Sequence, residues 1–545
     1  MKNLPHVALY LLSLQANLLG YFQSLFFRCA QRYSQKVQHR TLVRIIKTNQ
    51  DSEFGRKYTF ASISSVDEFR SRVPIHTYEA LRPFVEGGTP KRYLQTSGTT
   101  GTPKFVPVSE RTLAACRRFQ NINTFFQRKA SPGLFDGGVL EIVSSANEGF
   151  MHDGTPFGSM SGLFSESLPQ FVRLRRILPR EVFSIPDYEH RYLLIAAIAL
   201  REDNITCMAS ANPSTLLKLI DVINKNRTVL GQYLSTGDLT VLGIPIPASV
   251  EKVVSGVRSA STRCATWQTL AMLPNDIKLS DLWPRLRAVV TWTGGNCALF
   301  IPKLRQHLSP QVTILEVGYL ASEFWGTIML EPSQGFGLPT IQDTFFEFIE
   351  PPSWESGERD TLVLHELEDG KRYYIIATTA DGLYRYFIND VIEVKRNGNG
   401  APLIAFVQKG KGVTSLTGEK LYEAQVVAAV HNLSRQLNVY PDSFVLLADE
   451  RMMAYVLYIE SVSPIDTNEY ACALDTELSR INVEYASKLQ SGRLGPLQVR
   501  RVRQGTFDES KRSKIKEGMR EGQFKSLTLQ YAHDVSFPFH EFELL

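Results

Sequence analysis

A glycine- and threonine-rich segment, Thr96-Ser-Gly-Thr-Thr-Gly-Thr-Pro-Lys104, constrains this chain more than any other stretch. Gly98 and Gly101 allow backbone turns that other residues resist, so successive N–H groups can point at a single anion. Hydroxyl side chains add further donors, and they come from Thr96, Ser97, Thr99 and Thr100. Lys104 brings a positive charge, although no Gly-Lys-Ser/Thr closes the segment as it would in a Walker motif. The whole string therefore predicts a phosphate-binding loop rather than an ordinary polar loop between strands.

The length and charge balance set limits on the rest of the molecule. A chain of 545 residues is too long for one hydrophobic core, so about two to four structural units are expected. The 60 basic and 55 acidic side chains are too evenly matched for a general nucleic-acid-binding protein. Six cysteines without a Cys-x-x-Cys spacing argue against a disulfide framework or zinc site, and indicate a reducing compartment such as the cytoplasm.

An apolar segment at the N-terminus predicts an amphipathic helix over about residues 4–28. Val7, Leu11, Leu14 and Leu18 recur at helical spacing within it. Docking of this helix on the protein body is the favoured interpretation, contact with a membrane or a signal anchor is the second, and a cleaved signal peptide is the third. No other segment has the length and apolar character of a bilayer span.

Strand-like and helix-like segments alternate through the first ~400 residues, which predicts a layered α/β or mixed α+β body. Ser109 predicts the start of a helix by capping, with a buried stripe of Ala115, Phe119, Ile122 and Phe126. Short strands are expected at 139–143, 288–291, 312–317 and 391–394. Asp369-Gly370 predicts a hairpin between strands at 361–367 and 372–379.

A second composition change follows the strand expected at 403–407. Lys409-Gly-Lys-Gly412 is a basic, glycine-containing stretch, which predicts a hinge as readily as a solvated surface turn. The segments beyond it predict a small α+β domain, with a helix from Leu421, strands at 444–448 and 453–459, a helix at about 467–488 and a strand near 497–503. We therefore expect an N-terminal domain over 1–408 and a mobile C-terminal domain over 409–545.

Other parts of a nucleotide site follow the glycine-rich segment at suitable places. Tyr319 comes directly after the strand expected at 312–317, where an aromatic ring can stack on a purine. Glu323 follows four residues later and is a candidate ligand for Mg²⁺ against phosphate oxygens. Asp390, after Gly382-Leu-Tyr-Arg-Tyr386, can accept hydrogen bonds from both ribose hydroxyls. Taken alone, each residue has an ordinary alternative: Tyr319 as a packed core tyrosine, Glu323 as a surface glutamate and Asp390 as part of an Asx turn.

In this order and spacing, the motifs resemble the adenylate-forming superfamily of acyl-CoA synthetases, peptide-synthetase adenylation domains and luciferases. Within it, the chain is most similar to the auxin-responsive acyl acid amido synthetase family. The narrower resemblance covers nearly the whole chain and rests on Glu53–Lys57, Phe69–Glu79, Trp292–Gly295, Gly318–Glu323, Gly382–Asp390, Leu416–Lys420, Gly505–Phe507 and Gly522–Lys525.

The resemblance implies a reaction in two steps that uses ATP and Mg²⁺. A carboxylate attacks the α-phosphorus to give an acyl-adenylate and pyrophosphate, and an amine, often an amino acid, then displaces AMP to give an amide. It also implies a large multi-layer adenylation domain and a small domain that rotates between two poses about a hinge near Lys409–Lys411. One pose would present Lys525 to the first step, and the other would present the Leu416–Lys420 loop to the second.

The resemblance also assigns roles to individual residues. Ser97 to Lys104 would hold the departing pyrophosphate, Tyr319 would stack on adenine, and Ser322 would line the α-phosphate. Glu323 would coordinate Mg²⁺. Asp390 would bind the ribose with Arg385 nearby as a second cation, and Lys525 would bridge phosphate and carboxylate during adenylation. A solvated basic tail is the ordinary alternative for Lys525, because Lys511, Lys514 and Lys516 precede it.

Two departures from the family pattern bear on these expectations. The ribose motif usually ends Gly-Asp, whereas this chain has Asn389-Asp390. Asparagine tolerates a positive φ better than most residues, so we expect the turn to be retained. The hinge carries Lys409 and Lys411 where the wider superfamily often has Arg and Asp.

Two alternatives to the amide-forming ligase stay open at this point. An acyl-CoA ligase would share the adenylate and use CoA as acceptor. A pseudoenzyme would keep the fold as a membrane-associated interaction module, although such a scaffold needs none of Lys104, Glu323, Asp390 and Lys525. The expected partners are a small carboxylic acid and an amine, without nucleic acid, in a monomeric cytoplasmic protein with peripheral membrane contact through the N-terminal helix as a minor possibility.

Overall fold

The computed structural model describes residues 6–88, 90–96, 104–185, 187–256, 270, 277–395, 400–410, 412–414, 416, 419, 421–490, 492, 494–517 and 527–544. The chain divides into two compact units: unit 1 is Met1–Ile388 with Glu393–Ala405, and unit 2 is Asn389–Ile392 with Phe406–Leu545. Helices and strands intermix along the chain, and the mixed α/β fold class predicted from the sequence is confirmed.

The strands of the described residues belong to six sheets. In chain order they are β1 (Arg92–Thr96), β2 (Lys104–Val108), β3 (Gly138–Glu141), β4 (Gly149–Phe150), β5 (Pro156–Gly158), β6 (Ile205–Ala209), β7 (Ala288–Thr291), β8 (Thr313–Glu316), β9 (Thr327–Ile328), β10 (Leu338–Pro339), β11 (Phe345–Ile349), β12 (Arg372–Thr378), β13 (Tyr386–Lys395), β14 (Leu403–Lys409), β15 (Val413–Thr414), β16 (Leu421–Tyr422), β17 (Ser443–Asp449), β18 (Ala454–Glu460), β19 (Gln498–Val502) and β20 (Leu529–Tyr531).

The α-helices of the described residues range from single turns to a helix of 27 residues at the N-terminus. They are α1 (His6–Arg32), α2 (Ser34–Thr48), α3 (Glu53–Lys57), α4 (Val66–Arg72), α5 (Tyr78–Val85), α6 (Glu110–Ala130), α7 (Met160–Glu166), α8 (Gln170–Arg173), α9 (Tyr188–Leu200), α10 (Pro213–Lys225), α11 (Arg227–Thr236), α12 (Ala248–Gly256), α13 (Leu279–Leu282), α14 (Ile301–Gln306), α15 (Pro351–Glu355), α16 (Glu423–Leu437), α17 (Thr467–Ile481), α18 (Val483–Gln490) and α19 (Thr506–Lys516).

A parallel sheet in the order β3-β6-β7-β8 organises the first large core of unit 1. All four residues of β7 are buried, as is usual where helices cover both faces of a parallel sheet. The helix α9 belongs to the same apolar cluster, and its residues 194–197 are fully inaccessible to solvent. The carboxyl ends of the neighbouring strands β7 and β8 meet at one edge, which is where open α/β sheets place their ligands.

A second sheet, in the order β2-β1-β5-β4, frames the glycine-rich segment. The strands β1 and β2 are antiparallel, and Thr96 at the end of β1 lies opposite Lys104 at the start of β2. Residues 97–103 connect these two positions and lie outside the described residues. The helix α6 follows β2 and begins as predicted, because Ser109 Oγ accepts a hydrogen bond of 3.3 Å from Thr112 N. Its predicted stripe is buried.

The hairpin expected around Asp369-Gly370 is wrong. Residues 361–367 contain an isolated bridge from Leu362 to Phe348 instead of a strand. β12 pairs antiparallel with β11, whose five residues are all buried. A strand that is buried at all five positions, four of them apolar, thus takes the place expected for residues 361–367, because it removes more apolar surface from water than those partly exposed residues would.

The helix α1 is present at the expected place, but it packs with the opposite face to the one predicted. Val7, Leu11, Leu14 and Leu18 are all exposed, with Val7 at 68% and Leu18 at 49%. The side that faces α6 carries Gly20, where an added Cβ would lie 2.6 Å from Asn121 O. Small and polar side chains therefore make the close helix contact, and the apolar stripe is left outside. Of the described helices, none is long and apolar enough to cross a membrane.

Unit 2 is built on a four-stranded sheet in the order β19-β18-β17-β20, with β17 and β18 antiparallel. The single helix expected over 467–488 is two helices, α17 and α18, separated at Asn482. Asn482 is extended at φ −130°, and its Oδ1 accepts a hydrogen bond of 3.0 Å from Tyr485 N. This bond caps the start of α18, so the asparagine ends one helix and begins the next.

Candidate active site

Lys104 lies at the base of the glycine-rich segment with its ammonium group directed at two aromatic residues. Its Nζ donates a hydrogen bond of 3.1 Å to Tyr386 Oη. The same Nζ lies 5.5 Å from the ring centroid of Tyr78 and 5.7 Å from that of Tyr386. Because a cation is attracted to an aromatic face at such a distance, the ring of Tyr78 and the hydroxyl of Tyr386 together hold the ammonium group in place beside the loop.

Tyr386 joins Lys104 to Glu323. Its Oη accepts from the lysine and donates a hydrogen bond of 3.1 Å to Glu323 Oε1. The tyrosine ring is almost fully buried, whereas Lys104 and Glu323 are each partly exposed. Two predicted site residues, more than 200 positions apart in the sequence, thus meet at one hydroxyl of unit 1. Sequence reasoning assigned no role to Tyr386, although the Gly382–Tyr386 motif ends on it.

Tyr78 and Glu86 support the start of β2, which carries the lysine. Tyr78 Oη accepts from Phe105 N at 2.8 Å and donates to Glu86 Oε1 at 2.8 Å. Arg82 Nη1 donates to the same carboxylate oxygen at 2.6 Å. Burial, followed by the hydrogen bond to Glu86, raises the pKa of Tyr78, so its hydroxyl stays protonated and keeps donating.

The loop that bears Tyr319 and Glu323 leaves the carboxyl end of β8 and is held there by Glu316. This buried carboxylate accepts hydrogen bonds from Thr293 N at 2.6 Å and from Gly318 N at 2.8 Å. Thr293 follows β7, so Glu316 ties together the loops after two adjacent parallel strands. Burial raises the pKa of Glu316 despite these bonds. Sequence reasoning missed Glu316, and its only signal is a carboxylate at the end of an otherwise apolar strand.

Gly318 and Gly326 allow the backbone conformation and the close packing of the segment that carries Tyr319. Gly318 has φ +100°, and an added Cβ would lie 2.8 Å from Thr327 O. An added Cβ at Gly326 would lie 2.5 Å from Cδ1 of the Tyr319 ring. The tyrosine is fixed further because its N–H donates to Thr327 Oγ1 at 2.9 Å. Its ring is largely buried and packs edge-on against Phe324 with centroids 5.6 Å apart. Ser322 is partly exposed next to Glu323.

Arg385 does not reach the position predicted for a second phosphate cation. Its side chain is 5% exposed and forms a two-pronged ion pair with Glu347, with contacts of 3.0 and 3.1 Å. The same guanidinium donates to Val73 O at 2.7 Å and to Arg70 O at 3.0 Å. With Thr361 Oγ1 at 3.2 Å, five acceptors inside the core hold this guanidinium, so the expectation that Arg385 serves the nucleotide is corrected.

The remaining predicted residues fall in two groups. Thr96 ends β1, whereas Ser97, Gly98, Thr99, Thr100, Gly101 and Lys525 lie outside the described residues. Asp390 lies on β13, is buried and belongs to unit 2. The preceding Asn389 has φ +62°, as expected for the residue in the usual glycine position. Asn389 O accepts a hydrogen bond of 2.8 Å from Gly410 N, next to the expected hinge.

Glu419, in the Leu416–Lys420 motif, is fixed inside unit 2. Its Oε1 accepts hydrogen bonds of 2.6 Å from Tyr455 Oη and from Leu416 N, and the residue is fully buried. Burial and the hydrogen bond to Glu419 raise the pKa of Tyr455. The motif is therefore anchored at its fourth residue by the β-sheet of unit 2.

In chemical terms, unit 1 presents one ammonium group and one carboxylate at opposite sides of a phenol. This arrangement is suited to a polyphosphate that carries a divalent cation, because the ammonium can pair with phosphate and the carboxylate with the cation. The residues fit Mg²⁺ in particular, which usually takes one or two protein carboxylates and completes its shell with phosphate oxygens and water. Among the described residues no cluster of three or more metal-binding side chains occurs.

Comparison with family models finds three consecutive matches. Residues 25–314 match the GH3 family N-terminal domain, 337–409 the GH3 family central domain, and 424–531 the GH3 family C-terminal domain. The first match alone covers more than half of the 545 residues.

Individual relatives extend over nearly the full length. The indole-3-acetic acid-amido synthetase GH3.4 of Arabidopsis thaliana is 25% identical over 546 residues, which cover 91% of this chain and 89% of the relative. The 4-substituted benzoates-glutamate ligase GH3.12 of the same plant is 24% identical over 541 residues, covering 90% and 92%.

Solved structures share the fold. A GH3.15 acyl acid amido synthetase matches with a TM-score of 0.81 at 22% identity, covering 94% of both chains. A 2-hydroxyisobutyryl-CoA ligase in the postadenylation state, in complex with 2-HIB-AMP, matches with a TM-score of 0.53 at 13% identity, covering 91% of this chain and 89% of the other. At these identities the likeness concerns the fold alone.

Proposed function

This chain belongs to the GH3 family, and from that premise we propose that it is an ATP-dependent acyl acid amido synthetase. The enzyme activates a carboxylic acid as its acyl-adenylate and transfers the acyl group to an amine, releasing pyrophosphate and AMP. The names of its relatives, an acid-amido synthetase and a benzoates-glutamate ligase, favour an amide product with an amino acid as the acceptor. The observation that carries the proposal is the hydrogen-bonded series Lys104–Tyr386–Glu323 beside the glycine-rich segment.

The first step brings two anions together, because a carboxylate oxygen attacks the α-phosphorus of ATP. The bond from the α-phosphorus to the bridging oxygen breaks, and pyrophosphate leaves with the electron pair. Lys104, held by the hydroxyl of Tyr386 and beside the ring of Tyr78, pairs with the charge that accumulates on pyrophosphate. Because the lysine is already fixed by Tyr386, little reorganisation is needed as that charge develops.

Glu323 is the proposed ligand of Mg²⁺, which when bound neutralises phosphate charge and favours departure of pyrophosphate. The hydrogen bond from Tyr386 fixes the orientation of this carboxylate. Ser322, adjacent and partly exposed, is proposed to line the α-phosphate. Tyr319, held by Gly318 and Gly326, is proposed to stack on adenine.

The second step requires the amine to attack the acyl carbon and AMP to leave. We assign the ribose contact to Asp390 and the contact of the first step to Lys525, and the segment 97–101 completes the phosphate loop. The small domain is proposed to turn about a hinge near Lys409–Lys411 between the two steps. Glu419 gives the Leu416–Lys420 loop a rigid support in unit 2 for the second pose.

The proposal includes a monomeric protein in the cytoplasm. Small acids and amines are the expected substrates. An acyl-CoA ligase is the second candidate, because the chain shares its fold with a 2-hydroxyisobutyryl-CoA ligase. A catalytically inactive scaffold is the third, and it would leave the Lys104–Tyr386–Glu323 series without a purpose.

The proposal is tested by measuring pyrophosphate released from ATP and Mg²⁺ across a panel of carboxylic acids. With an accepted acid, release is expected to fall at least about a hundredfold in Lys104→Ala and in Glu323→Ala. The exposed residues Lys129 and Glu331 provide matched controls, since Lys129→Ala and Glu331→Ala remove the same charges elsewhere. Absence of acid-dependent release across the panel, or equal release in site and control variants, would contradict the proposal.

The acceptor is identified in a second assay on the same acid. Amino acids are expected to accelerate AMP release and to give an amide detectable by mass spectrometry. Acceleration by CoA with a thioester product would instead establish the ligase alternative. The variant Lys525→Ala separates the two steps, because it is expected to slow adenylation more than transfer from a preformed adenylate. Equal losses in both steps would refute the role given to Lys525.

A further inference from the structure

The helix α1 presents a broad apolar surface that the proposed ligase chemistry does not use. More than half of the exposed large apolar residues among those described lie on this one helix. The surface, called here the α1 face, consists of Val7, Tyr10, Leu11, Leu14, Leu18, Leu19, Tyr21, Phe22, Leu25 and Phe26. Phe26 is 73% exposed and Tyr10 is 67% exposed. A contiguous patch of this kind on a soluble protein marks an interaction surface.

The α1 face is ordered by the remainder of the protein. Asn121 Nδ2, on α6, donates a hydrogen bond of 3.1 Å to Gln23 Oε1, and Arg128 Nη1 donates one of 2.8 Å to Ser13 Oγ. Gln31 Nε2 donates a further bond of 3.0 Å to Pro339 O. These contacts fix the polar side of the helix, so the apolar side faces outward. The surface is therefore preformed, and the helix does not need to fold on binding.

The segment that forms α1 and α2 carries charge of a single sign. The sequence contains no acidic residue before Asp51. Leu11, Leu14, Leu18, Tyr21 and Leu25 follow a spacing of three and four residues, and Arg28 and Arg32 continue that spacing on the same helix face. Exposed basic residues then recur every three or four positions through α2, and the complete series is Arg28, Arg32, Lys36, Arg40, Arg44 and Lys47.

We propose that α1 binds the surface of a membrane that contains anionic phospholipids. The α1 face enters the boundary between headgroups and acyl chains, and the basic series from Arg28 to Lys47 pairs with lipid phosphates and carboxylates. The tyrosines of the face suit this boundary, because their rings are apolar and their hydroxyls stay hydrated. A second copy of the chain fits less well as the occupant, because a self-contact here would bring two copies of the basic series together.

The test is sedimentation of the full-length protein with vesicles. One set of vesicles is phosphatidylcholine alone, and the other contains about 30 mol% phosphatidylserine. We expect strong binding to the second set, weaker binding to the first, and a decrease on the second set as NaCl rises from about 0.1 to 0.5 M. Two triple variants separate the contributions: Leu11→Gln/Leu18→Gln/Phe22→Gln for the apolar face, and Arg32→Gln/Lys36→Gln/Arg40→Gln for the charge.

The apolar variant is expected to lose binding to both vesicle types by at least about tenfold. The charge variant is expected to lose about a hundredfold on phosphatidylserine vesicles and little on phosphatidylcholine. Matched controls on exposed residues elsewhere, Phe150→Gln/Val462→Gln and Arg285→Gln/Arg451→Gln, should bind like the unmodified protein. Pyrophosphate release without vesicles should be unchanged in all of them, which reports folding and separates this inference from the ligase proposal.

Two results would overturn the inference. One is vesicle binding that is absent in the unmodified protein or unaltered in both triple variants. The other is a stable dimer in light scattering that the apolar variant converts to monomer, which would identify a second copy as the occupant of the α1 face.

Discussion

Replacing Tyr386 by phenylalanine tests the central geometry with the removal of a single oxygen atom. The ring is almost fully buried and is retained in the variant, so no cavity forms. The hydroxyl accepts from Lys104 Nζ and donates to Glu323 Oε1, both at 3.1 Å. Because both partners are partly exposed, water can replace the lost oxygen, and the free energy of unfolding should fall by less than about 1 kcal/mol.

The effect on catalysis should be larger than the effect on stability. Each lost bond involves a charged group and is typically equivalent to about 1.5–3 kcal/mol, of which rehydration returns a part. If the remainder is needed to orient the ammonium and the carboxylate, kcat/KM for pyrophosphate release should fall about 10- to 100-fold, or about 1.4–2.8 kcal/mol. The loss should appear mainly in kcat, because the two groups act on charge that develops during the step.

Tyr384→Phe is the matched control for this variant. Tyr384 belongs to the same motif and is equally buried, but its hydroxyl faces Ser52 and its ring stacks on Phe54. Loss of the Tyr384 hydroxyl should leave pyrophosphate release unchanged. If Tyr386→Phe keeps full activity, or if Tyr384→Phe loses as much, then the Lys104–Tyr386–Glu323 series does not organise the site.

Three further perturbations test other parts of the structure. Arg385→Gln should lower the free energy of unfolding in urea by about 3 kcal/mol, because it leaves the buried carboxylate of Glu347 with a single ion-pair partner, Arg70 at 3.2 Å. Arg503→Gln, in the exposed pair with Glu509, should cost less than about 1 kcal/mol. Equal effects would refute the core role of Arg385. Gly318→Ala should lower the free energy of unfolding by about 1–3 kcal/mol and reduce activity. The loss should exceed that of Gly357→Ala, where φ is also positive but no atom lies within 4 Å of the added Cβ. Equal losses would rule out the close contact with Thr327 O. Burial lowers the pKa of His76, so its stabilising contribution is complete above the unfolded value of about 6.5 and is lost as the pH falls through the folded value. Between about pH 7.5 and 5.5, the free energy of unfolding should therefore fall more steeply in the unmodified protein than in His76→Gln, by at most about 1.4 kcal/mol per pH unit. Parallel curves for the two proteins would contradict the role of His76.

Local signals in the sequence were sufficient for much of the fold. The apolar run at 288–291 is a buried strand with those bounds, since a short uninterrupted run of β-branched residues suits the interior of a parallel sheet. Ser109 caps α6 because its hydroxyl meets a free N–H at the first turn. The hairpin at 361–367 was wrong because β12 pairs with β11, a partner that local sequence patterns do not reveal. The break at Asn482 was missed because a side-chain cap interrupts an otherwise helical pattern.

The sequence allowed the residue types of the candidate site to be predicted, but not the hydrogen bonds that join them. Lys104 and Glu323 carry recognisable chemistry, whereas the hydroxyl that joins them belongs to Tyr386, whose motif gives no sign of what it contacts. Arg385 shows the opposite error. The prediction had Arg385 pair with phosphate because it lies in a nucleotide motif. Its ion-pair partner is instead Glu347, an acidic residue on the fully buried strand β11. The α1 stripe was recognised as apolar, but spacing alone cannot tell which face of a helix is covered by other parts of the chain.

The most direct test of the account follows oxygen atoms from the acid into AMP. A carboxylic acid accepted in the pyrophosphate assay is labelled with ¹⁸O in both carboxyl oxygens and supplied with ATP, Mg²⁺ and the amine acceptor. Attack of the carboxylate on the α-phosphorus predicts one ¹⁸O in each AMP released and one in each amide formed, with no label in pyrophosphate. Label in inorganic phosphate together with ADP, or unlabelled AMP beside the amide, would contradict an acyl-adenylate at this site.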